Sequence, residues 1–157
     1  MERAKTEKFS EKVLGDQGGF LAVVMAAIGD RLGLFKTLAA EGPATSAELA
    51  ARAGIQERYA REWLAGLSAA GYLQYDPASG RFTLPAAHIP VLAEEKGRFF
   101  AGGVFQRLIA LLKPFDQLVS AFHHGGGVPM SAYSDDAWEG MARSTDSQVE
   151  NLLLEEW

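Results

Sequence analysis

The sequence contains 157 residues, of which 48% are hydrophobic and 22% are charged. This length suits one domain, or one small domain with an appendage, and the composition excludes a chain that is disordered throughout. Cysteine is absent, which excludes disulfides, a thiol nucleophile and thiolate metal sites. The lack of cysteine also favours a reducing compartment, and the cytoplasm is the expected location.

Hydropathy and charge argue against a membrane span, export and DNA binding. The longest apolar run covers residues 20–28, which is far short of the roughly 20 residues that cross a bilayer. Residues 1–12 are charged and lack the order of a secretory signal. The formal charge is −5, and the acidic surplus lies in residues 131–157, where Arg143 is the one basic side chain. The rest is nearly neutral, so the basic face typical of a DNA-binding protein is not predicted.

The first 38 residues are predicted to form an arm followed by one long helix. Residues 1–19 are polar and then contain glycines, which indicates a loosely held arm with helical character near residues 9–14. Between residues 20 and 38, apolar side chains recur at three- and four-residue spacing and also fill a second stripe. Such a helix is apolar on most sides and needs cover from the rest of the domain or from another subunit. Assembly as a homodimer is therefore one hypothesis.

Two shorter helices are predicted after Gly42-Pro43, which ends the first one. The sequence TSAE at residues 45–48 has the form of a capping box and predicts a short helix over residues 46–53. A further helix is predicted over residues 56–70. Its core-facing side chains are expected to be Tyr59, Trp63 and Leu67.

A β-hairpin is predicted next, because residues 72–75 and 81–84 alternate in strand fashion around a turn-rich loop. Leu73 and Phe82 are expected in the core. Helix, short helix, helix and hairpin in this order describe a winged helix-turn-helix domain over residues 20–87, with the hairpin as the wing. The predicted fold class is mainly α with a small β-hairpin, extended by connector helices.

Residues 88–157 are predicted to be these connector helices. A short apolar stretch at residues 89–92 precedes a helical segment over residues 96–122, which Pro114 kinks or splits. His123 and His124 are expected in a glycine-rich loop, and residues 135–157 in one or two acidic helices. The last apolar side chains are still in helical phase where the chain stops, which is typical of a piece of a longer protein; they are Val149, Leu152, Leu153 and Trp157.

Several strings of the sequence resemble one known family. The strings are RLGLFKTLA at residues 31–39, GPAT at residues 42–45 and GYL at residues 71–73, followed by the wing sequence GRFTL at residues 80–84. In their order and spacing they resemble S-adenosylmethionine-dependent methyltransferases with an N-terminal winged-helix domain, the group that includes small-molecule O-methyltransferases. The string GGGVP at residues 125–129, with the helix after it, is similar to the connector before the catalytic domain in one bacterial branch.

The resemblance implies a division of labour that this chain carries only in part. In such enzymes the N-terminal domain forms the dimer, the connector helices help close a pocket over a small-molecule methyl acceptor, and S-adenosylmethionine binds in a separate Rossmann-like domain. The glycine-rich turn of that domain is not found here, because Gly125 and Gly127 lack a third glycine at Met130 and a surrounding βαβ unit. We therefore expect no cofactor site in this chain, and no activity from it alone.

Candidate site residues are aromatic and concentrated in the connector. Five phenylalanines there exceed what a small domain must bury, and with the two adjacent histidines they are predicted to line a substrate pocket or a subunit interface. These residues are Phe99, Phe100, Phe105, Phe115, Phe122, His123 and His124. A metal site is not predicted, since adjacent histidines point apart on most backbones. A hydrolase reading of the HGGG string at residues 124–127 fails for lack of a Gly-x-Ser-x-Gly elbow.

The alternative function is a winged-helix transcription regulator, in which the helix over residues 56–70 enters the major groove of DNA. Arg58, Arg61 and Arg81 would then contact phosphates or bases. Glu57 and Glu62 lie on the same helix as two of these arginines, however, and balance their charge. A solvated mixed-charge face is the favoured interpretation, and nucleic acid is not an expected partner.

Overall fold

The computed structural model describes residues 2–155, and it describes the side chains of these residues except at positions 147, 148 and 151–155. The apolar positions Leu152, Leu153 and Trp157 lie outside the residues whose side chains are described. Within the described part, the helices are α1 (Glu2–Arg31), α2 (Leu34–Glu41), α3 (Ser46–Ala53), α4 (Glu57–Ala69), α5 (Ile89–Leu92), α6 (Gly102–Ala110), α7 (Phe115–His124) and α8 (Asp135–Glu155). The strands are β1 (Gln74–Asp76) and β2 (Arg81–Thr83).

The N-terminal region differs from the prediction in two ways. Residues 2–19, expected to be a loosely held arm, continue without interruption into helix α1. The single helix expected over residues 20–38 is broken at Gly33, whose φ of 68° is left-handed, and α2 begins one residue later. The apolar spacing stays in phase across this break, so the sequence pattern gave no sign of it. The break turns Leu34, Phe35 and Leu38 into the core.

Helix α1 also bears on the expectation of no membrane span. By length and composition alone it is apolar enough to cross a bilayer, and 11% of its most apolar window is buried. Counting the uninterrupted run at residues 20–28 missed this, because three glycines, Gln17 and the charged Asp16 separate that run from Val13 and Leu14. Core helices and N-terminal signals pass the same test, so the finding does not by itself place α1 in a membrane.

The winged helix-turn-helix is confirmed, and its local signals lie where they were expected. Thr45 caps α3: its hydroxyl accepts a hydrogen bond from the Glu48 amide at 3.3 Å, and its own amide donates to the Glu48 carboxylate at 2.8 Å. Strands β1 and β2 pair antiparallel, with Tyr75 opposite Phe82. Ala44 adds a bridge to Phe82 on the other side of β2. The wing is therefore fixed to the segment that precedes α3.

The core lies where α1, α2 and α4 meet. The Trp63 indole donates a hydrogen bond to the Met25 carbonyl at 2.8 Å, and its ring centroid lies 5.1 Å from that of Phe35. Gly29 of α1 lies under these rings, and a Cβ there would overlap both of them. The largest fully buried side chains in the described part are Phe35, Leu34, Leu49, Leu64 and Leu67.

The expectation that Tyr59 belongs to the core is wrong, because its side chain is 71% exposed. The buried face of α4 is formed by Ala60, Trp63, Leu64 and Leu67, and a residue at position 59 lies on the flank of that face at the helical spacing of about 100° per residue. Leu73 is buried as expected, and Phe82 is half-buried. Because Tyr59 lies on the flank of α4, the polar end of its side chain remains in water.

The connector is helical, but its helices are divided differently from the prediction. Residues 96–101 precede α6 rather than extend it, and the chain turns at residues 111–114 before α7. His123 and His124, expected in a loop, form the last turn of α7. The three glycines that follow all have positive φ angles, between 69° and 86°, a conformation that side chains rarely adopt. The acidic end is one helix, α8, over the described residues.

Candidate functional site

The connector helices α6 and α8 cross with their backbones in contact. A Cβ at Gly103 would lie 2.6 Å from the Gly140 carbonyl oxygen, and a Cβ at Gly140 would lie 2.7 Å from the Arg107 amide nitrogen. Such distances leave no room for a side chain at position 103 or at position 140. Ser144, buried beside this crossing, donates its hydroxyl hydrogen bond to the Gly140 carbonyl at 2.7 Å. The position of α8 is therefore determined by two glycines, which sequence analysis did not single out.

A network of charged side chains lies beside this crossing. The Arg143 guanidinium donates to both oxygens of Asp30, at 2.9 and 3.1 Å, to Glu95 at 3.0 Å and to Gln106 at 2.7 Å. The hydrogen bonds to Asp30 and Glu95, together with the negative charges of these carboxylates, hold the pKa of Arg143 above its ordinary value. Lys36 also bonds Glu95 and, with Arg143, holds the pKa of that carboxyl below its ordinary range. One α8 side chain thus joins α1, α6 and the segment after α5.

A cavity of about 550 Å³ opens over this network between α1, α6 and α8. Its apolar wall includes Val24, Ile28 and Ile109, and its polar wall holds the Arg143 network and Asp136. Asp136 accepts hydrogen bonds from Arg31 at 2.8 Å and from Gln106 at 3.1 Å, which lower its pKa. The charges here are paired with one another, and the described part of the chain contains no group of three or more side chains that could hold a metal ion.

The structure does not bring the five predicted phenylalanines together in one pocket. Phe100 and Phe105 are buried, and the Phe100 ring lies under the Arg143 guanidinium, 5.4 Å from it. Phe99, Phe115 and Phe122 are exposed. The first two are therefore parts of the body of the protein, and the last three are available to a ligand or another surface.

Helix α7 carries an apolar face on which no described part of the chain packs. Phe115, Leu118, Val119 and Phe122 follow helical spacing and are all exposed, Phe122 by 86%, and no residue of α7 is buried. Leu118 and Val119 were not among the predicted residues, although their spacing from Phe115 and Phe122 could have identified them. His123 and His124 are exposed at the end of this helix, and the His124 Nδ1 lies 3.1 Å from the Ser120 carbonyl oxygen.

Helix α1 carries a second exposed apolar face. All of its residues from position 2 to position 21 are exposed, so this part projects from the body of the protein. The large apolar side chains on it are Phe9, Val13, Leu14, Phe20 and Leu21. Their spacing forms a wide stripe along the helix. An exposed apolar stripe of this kind is typical of a surface that packs against another molecule.

The three arginines that could contact DNA are mostly engaged elsewhere. Arg61 bonds Glu57 on its own helix at 2.6 Å. Arg81 bonds Glu48 at 2.5 Å and the Pro43 carbonyl at 2.8 Å, so it stabilises the wing. The described side chains offer no ion pair to Arg58, which is exposed on α4. One unpaired arginine does not make the basic face that phosphate binding needs.

Comparison with known proteins agrees with this architecture. Residues 20–94 match the family model described as the Rv2258c-like winged HTH domain. The match starts where the predicted domain starts and runs past residue 87 to include α5. Among curated proteins, none is similar enough in sequence to count as a match.

Three solved structures share the fold over most of this chain. PigF with SAH is 21% identical, with a TM-score of 0.69 over 86% of this chain and 43% of its own. The mitomycin 7-O-methyltransferase MmcR is 19% identical, with a TM-score of 0.70 over 92% and 45%. The N,N-8-amino-8-demethyl-D-riboflavin dimethyltransferase RosA from Streptomyces davawensis is 19% identical, with a TM-score of 0.66 over 90% and 44%.

The chain thus spans less than half the length of each of these structures, and the likeness extends beyond the wing into the connector helices. At such low identity it concerns the fold. Residues 20–94 of this chain therefore form a winged helix-turn-helix domain that is similar to the Rv2258c-like winged HTH model, and connector helices follow it in a fold shared with these three solved structures.

Proposed function

We propose that this chain is the dimerisation and substrate-lid region of an S-adenosylmethionine-dependent methyltransferase that acts on a small molecule in the cytoplasm. The cofactor-binding Rossmann-like domain is a different part of the protein in this proposal. The observation that carries it is the extent of the fold likeness. Between 86% and 92% of this chain, connector included, aligns with structures about twice its length, two of which are methyltransferases and the third of which contains SAH.

The connector helices favour this function over that of a DNA-binding regulator. A winged helix that reads DNA needs a basic face around its recognition helix and wing, and the pairing of Arg61 with Glu57 and of Arg81 with Glu48 removes most of it. The elements after the wing, in contrast, are held in defined positions, because α8 is fixed by Gly103, Gly140 and the Arg143 network. This rigidity suits a segment that holds another domain in a defined orientation.

Dimerisation is assigned to the projecting part of α1. Its apolar stripe, Phe9, Val13, Leu14, Phe20 and Leu21, is exposed in the single chain. Charged side chains on this part are evenly balanced between acidic and basic, so two copies would not repel each other. A second copy of the same helix gives a symmetric way to cover the stripe, as most homo-oligomers do.

The lid is assigned to α7. Its face of Phe115, Leu118, Val119 and Phe122 has no partner in the described part of the chain, and the left-handed glycines at 125–127 separate α7 from α8. An apolar face of this kind can cover an apolar methyl acceptor and keep water from it. His123 and His124 at the end of α7 would then lie at the edge of the covered space.

The proposal is tested by comparing this chain with the complete protein. In calorimetric titrations we expect the complete protein to bind S-adenosylmethionine and this chain not to bind it. In the complete protein, Phe122→Ser is expected to raise the KM for the acceptor several-fold and to leave cofactor affinity unchanged, because the exposed side chain lies outside the core and the proposal places the cofactor in a different domain. Gln117→Ser, on the same helix but outside its apolar face, is the matched control. Saturable binding of the cofactor to this chain alone would contradict the proposal.

A further inference from the structure

A second cavity, of about 260 Å³, lies in the winged domain between the end of α4, the base of the wing, α5 and α6. It is separate from the apolar face of α7 and from the Arg143 network. Its walls are apolar, with Ala70, Val91, Leu92 and Phe105 among them, and Leu92 and Phe105 are buried. Tyr72 and His88 complete the lining. No acidic or basic side chain apart from His88 lines it, which disfavours an ionic ligand.

The geometry fixes which nitrogen of His88 carries the proton in the neutral ring. Its Nδ1 lies 2.9 Å from the Tyr72 carbonyl oxygen. A carbonyl oxygen only accepts hydrogen bonds, so Nδ1 is the donor and Nε2 is left as an acceptor. The described residues supply no hydrogen bond to Nε2. The hydrogen bond between Nδ1 and the Tyr72 carbonyl holds the short 3₁₀ turn Ala86–His88 to the residues before the wing, and Nε2 remains available as an acceptor.

The size of the cavity limits what can occupy it. An engineered protein cavity of about 150 Å³ holds benzene, and pockets for drug-sized molecules begin near about 300 Å³. A volume of about 260 Å³ therefore suits one or two fused rings. The lining is apolar apart from the Tyr72 and His88 side chains, which favours a ring that carries one hydrogen-bond donor.

We propose that this cavity binds a small planar aromatic molecule with a single hydroxyl or N–H donor, of the phenol or indole class. The ring packs against Phe105, Leu92 and Val91, and the donor bonds the Nε2 of His88. This binding site goes beyond the proposed function and does not rest on it, because it needs neither a second domain nor a second copy of the chain.

The test is a titration of this 157-residue chain with phenol, followed by NMR of the side chains of Val91, Leu92 and Phe105. Anisole is the matched probe, because it keeps the ring and the oxygen but lacks the donor. We expect phenol to bind in the millimolar range or tighter and anisole at least about tenfold more weakly, the usual cost of a missing hydrogen-bond partner. Equal binding of the two probes, or phenol shifts confined to other parts of the protein, would overturn the proposal.

Two variants separate the site from general effects on folding. Val91→Trp fills the half-exposed side of the cavity without changing His88, and it is expected to abolish phenol binding while thermal unfolding shows a folded protein. His88→Leu removes the acceptor and is expected to make phenol and anisole bind equally. His124→Leu, an exposed histidine on α7, is the matched control. Phenol binding that survives Val91→Trp in the folded protein would show that the cavity is not its site.

Discussion

The guanidinium of Arg143 donates two hydrogen bonds to the carboxylate of Asp30, 113 positions earlier in the sequence, with one nitrogen on each oxygen. The Asp30 side chain is only 6% exposed and that of Arg143 is 21% exposed. Burying a carboxylate costs free energy unless it is paired with a cation. Removing one partner of a buried ion pair therefore destabilises a protein more than replacing both partners with apolar residues does. The pair therefore fixes where α8 lies relative to the end of α1.

Arg143→Met is expected to destabilise the protein by about 3 kcal/mol, because it leaves the Asp30 carboxylate buried without its cation. The free energy of unfolding in urea measures this. The double variant Arg143→Met, Asp30→Asn should recover part of the loss, since the neutral amide costs less to bury. Arg31→Met is the control: its side chain is 69% exposed and that of its partner Asp136 is 37% exposed, so a loss within about 0.5 kcal/mol is expected. An equal loss in both arginine variants would contradict this account.

Gly140→Ala is expected to move α8 away from α6. The new methyl group would lie 2.7 Å from the Arg107 amide nitrogen, and overpacking of this kind costs about 1–3 kcal/mol. Hydrogen exchange should be faster in α8, with α2–α4 unchanged. Gly18→Ala, in the open part of α1, should instead stabilise its helix by about 0.5–1 kcal/mol. Unchanged protection of α8 in Gly140→Ala would refute the backbone contact.

Val13→Glu and Phe20→Glu are expected to convert a dimer into monomers. Both side chains are exposed in the single chain, so neither variant should unfold it, and a carboxylate there would have to be buried between two copies. Light scattering at tens of micromolar gives the mass. Lys8→Glu lies on the opposite side of α1 and should leave the dimer intact. A monomeric parent chain would remove the dimer from the proposed function.

Binding to duplex DNA is expected to be no tighter than the nonspecific range of about 10⁻⁴ to 10⁻⁶ M at physiological salt. Arg58→Ala should leave the salt dependence unchanged, because one arginine outside any basic face makes no defined phosphate contact. Fluorescence anisotropy with a randomised duplex at several salt concentrations measures both. Selection of one sequence with nanomolar affinity, lost in Arg58→Ala or Arg61→Ala, would instead support a transcription regulator.

Acid is expected to destabilise the fold through Glu48 and Glu95. The Thr45 amide and Arg81 lower the pKa of Glu48, and Lys36 and Arg143 lower that of Glu95. A lowered folded-state pKa means that the ionised form stabilises the protein above about pH 4.3 and that this contribution is lost as the pH falls further. The free energy of unfolding should therefore drop between about pH 5 and pH 3. Glu95→Gln should make that drop shallower, and an unchanged slope would contradict it.

Local signals in the sequence predicted the winged domain well. The capping box of Thr45 and Glu48 and the hairpin after Gly71 depend on neighbouring residues, so they can be recognised from short strings. The break at Gly33 could not, because a glycine also occurs within the unbroken helix at Gly15 and Gly18. Which glycine adopts a left-handed angle depends on the packing of the residues that follow.

Contacts between distant segments carried most of what was missed. Asp30 meets Arg143, and Gly103 meets Gly140, but neither pair leaves a periodic trace in the sequence. The five connector phenylalanines were singled out by composition, which could not divide buried Phe105 from exposed Phe122. That division depends on where the turn at residues 111–114 sends the chain.

Helix α1 packs on the body of the protein at Gly29, so a small change of angle there produces a large displacement at its N-terminal end. Residues 2–21 project for about 30 Å at the rise of an α-helix, and the helix is seated through Gly29, over which the Trp63 and Phe35 rings leave no room for a methyl group. A tilt of about 5° at this seat would carry the far end of the helix through about 3 Å. If the proposed dimer forms, a related protein with a larger residue at this one position would therefore hold its second copy at a different angle, even with every residue of the contact surface unchanged.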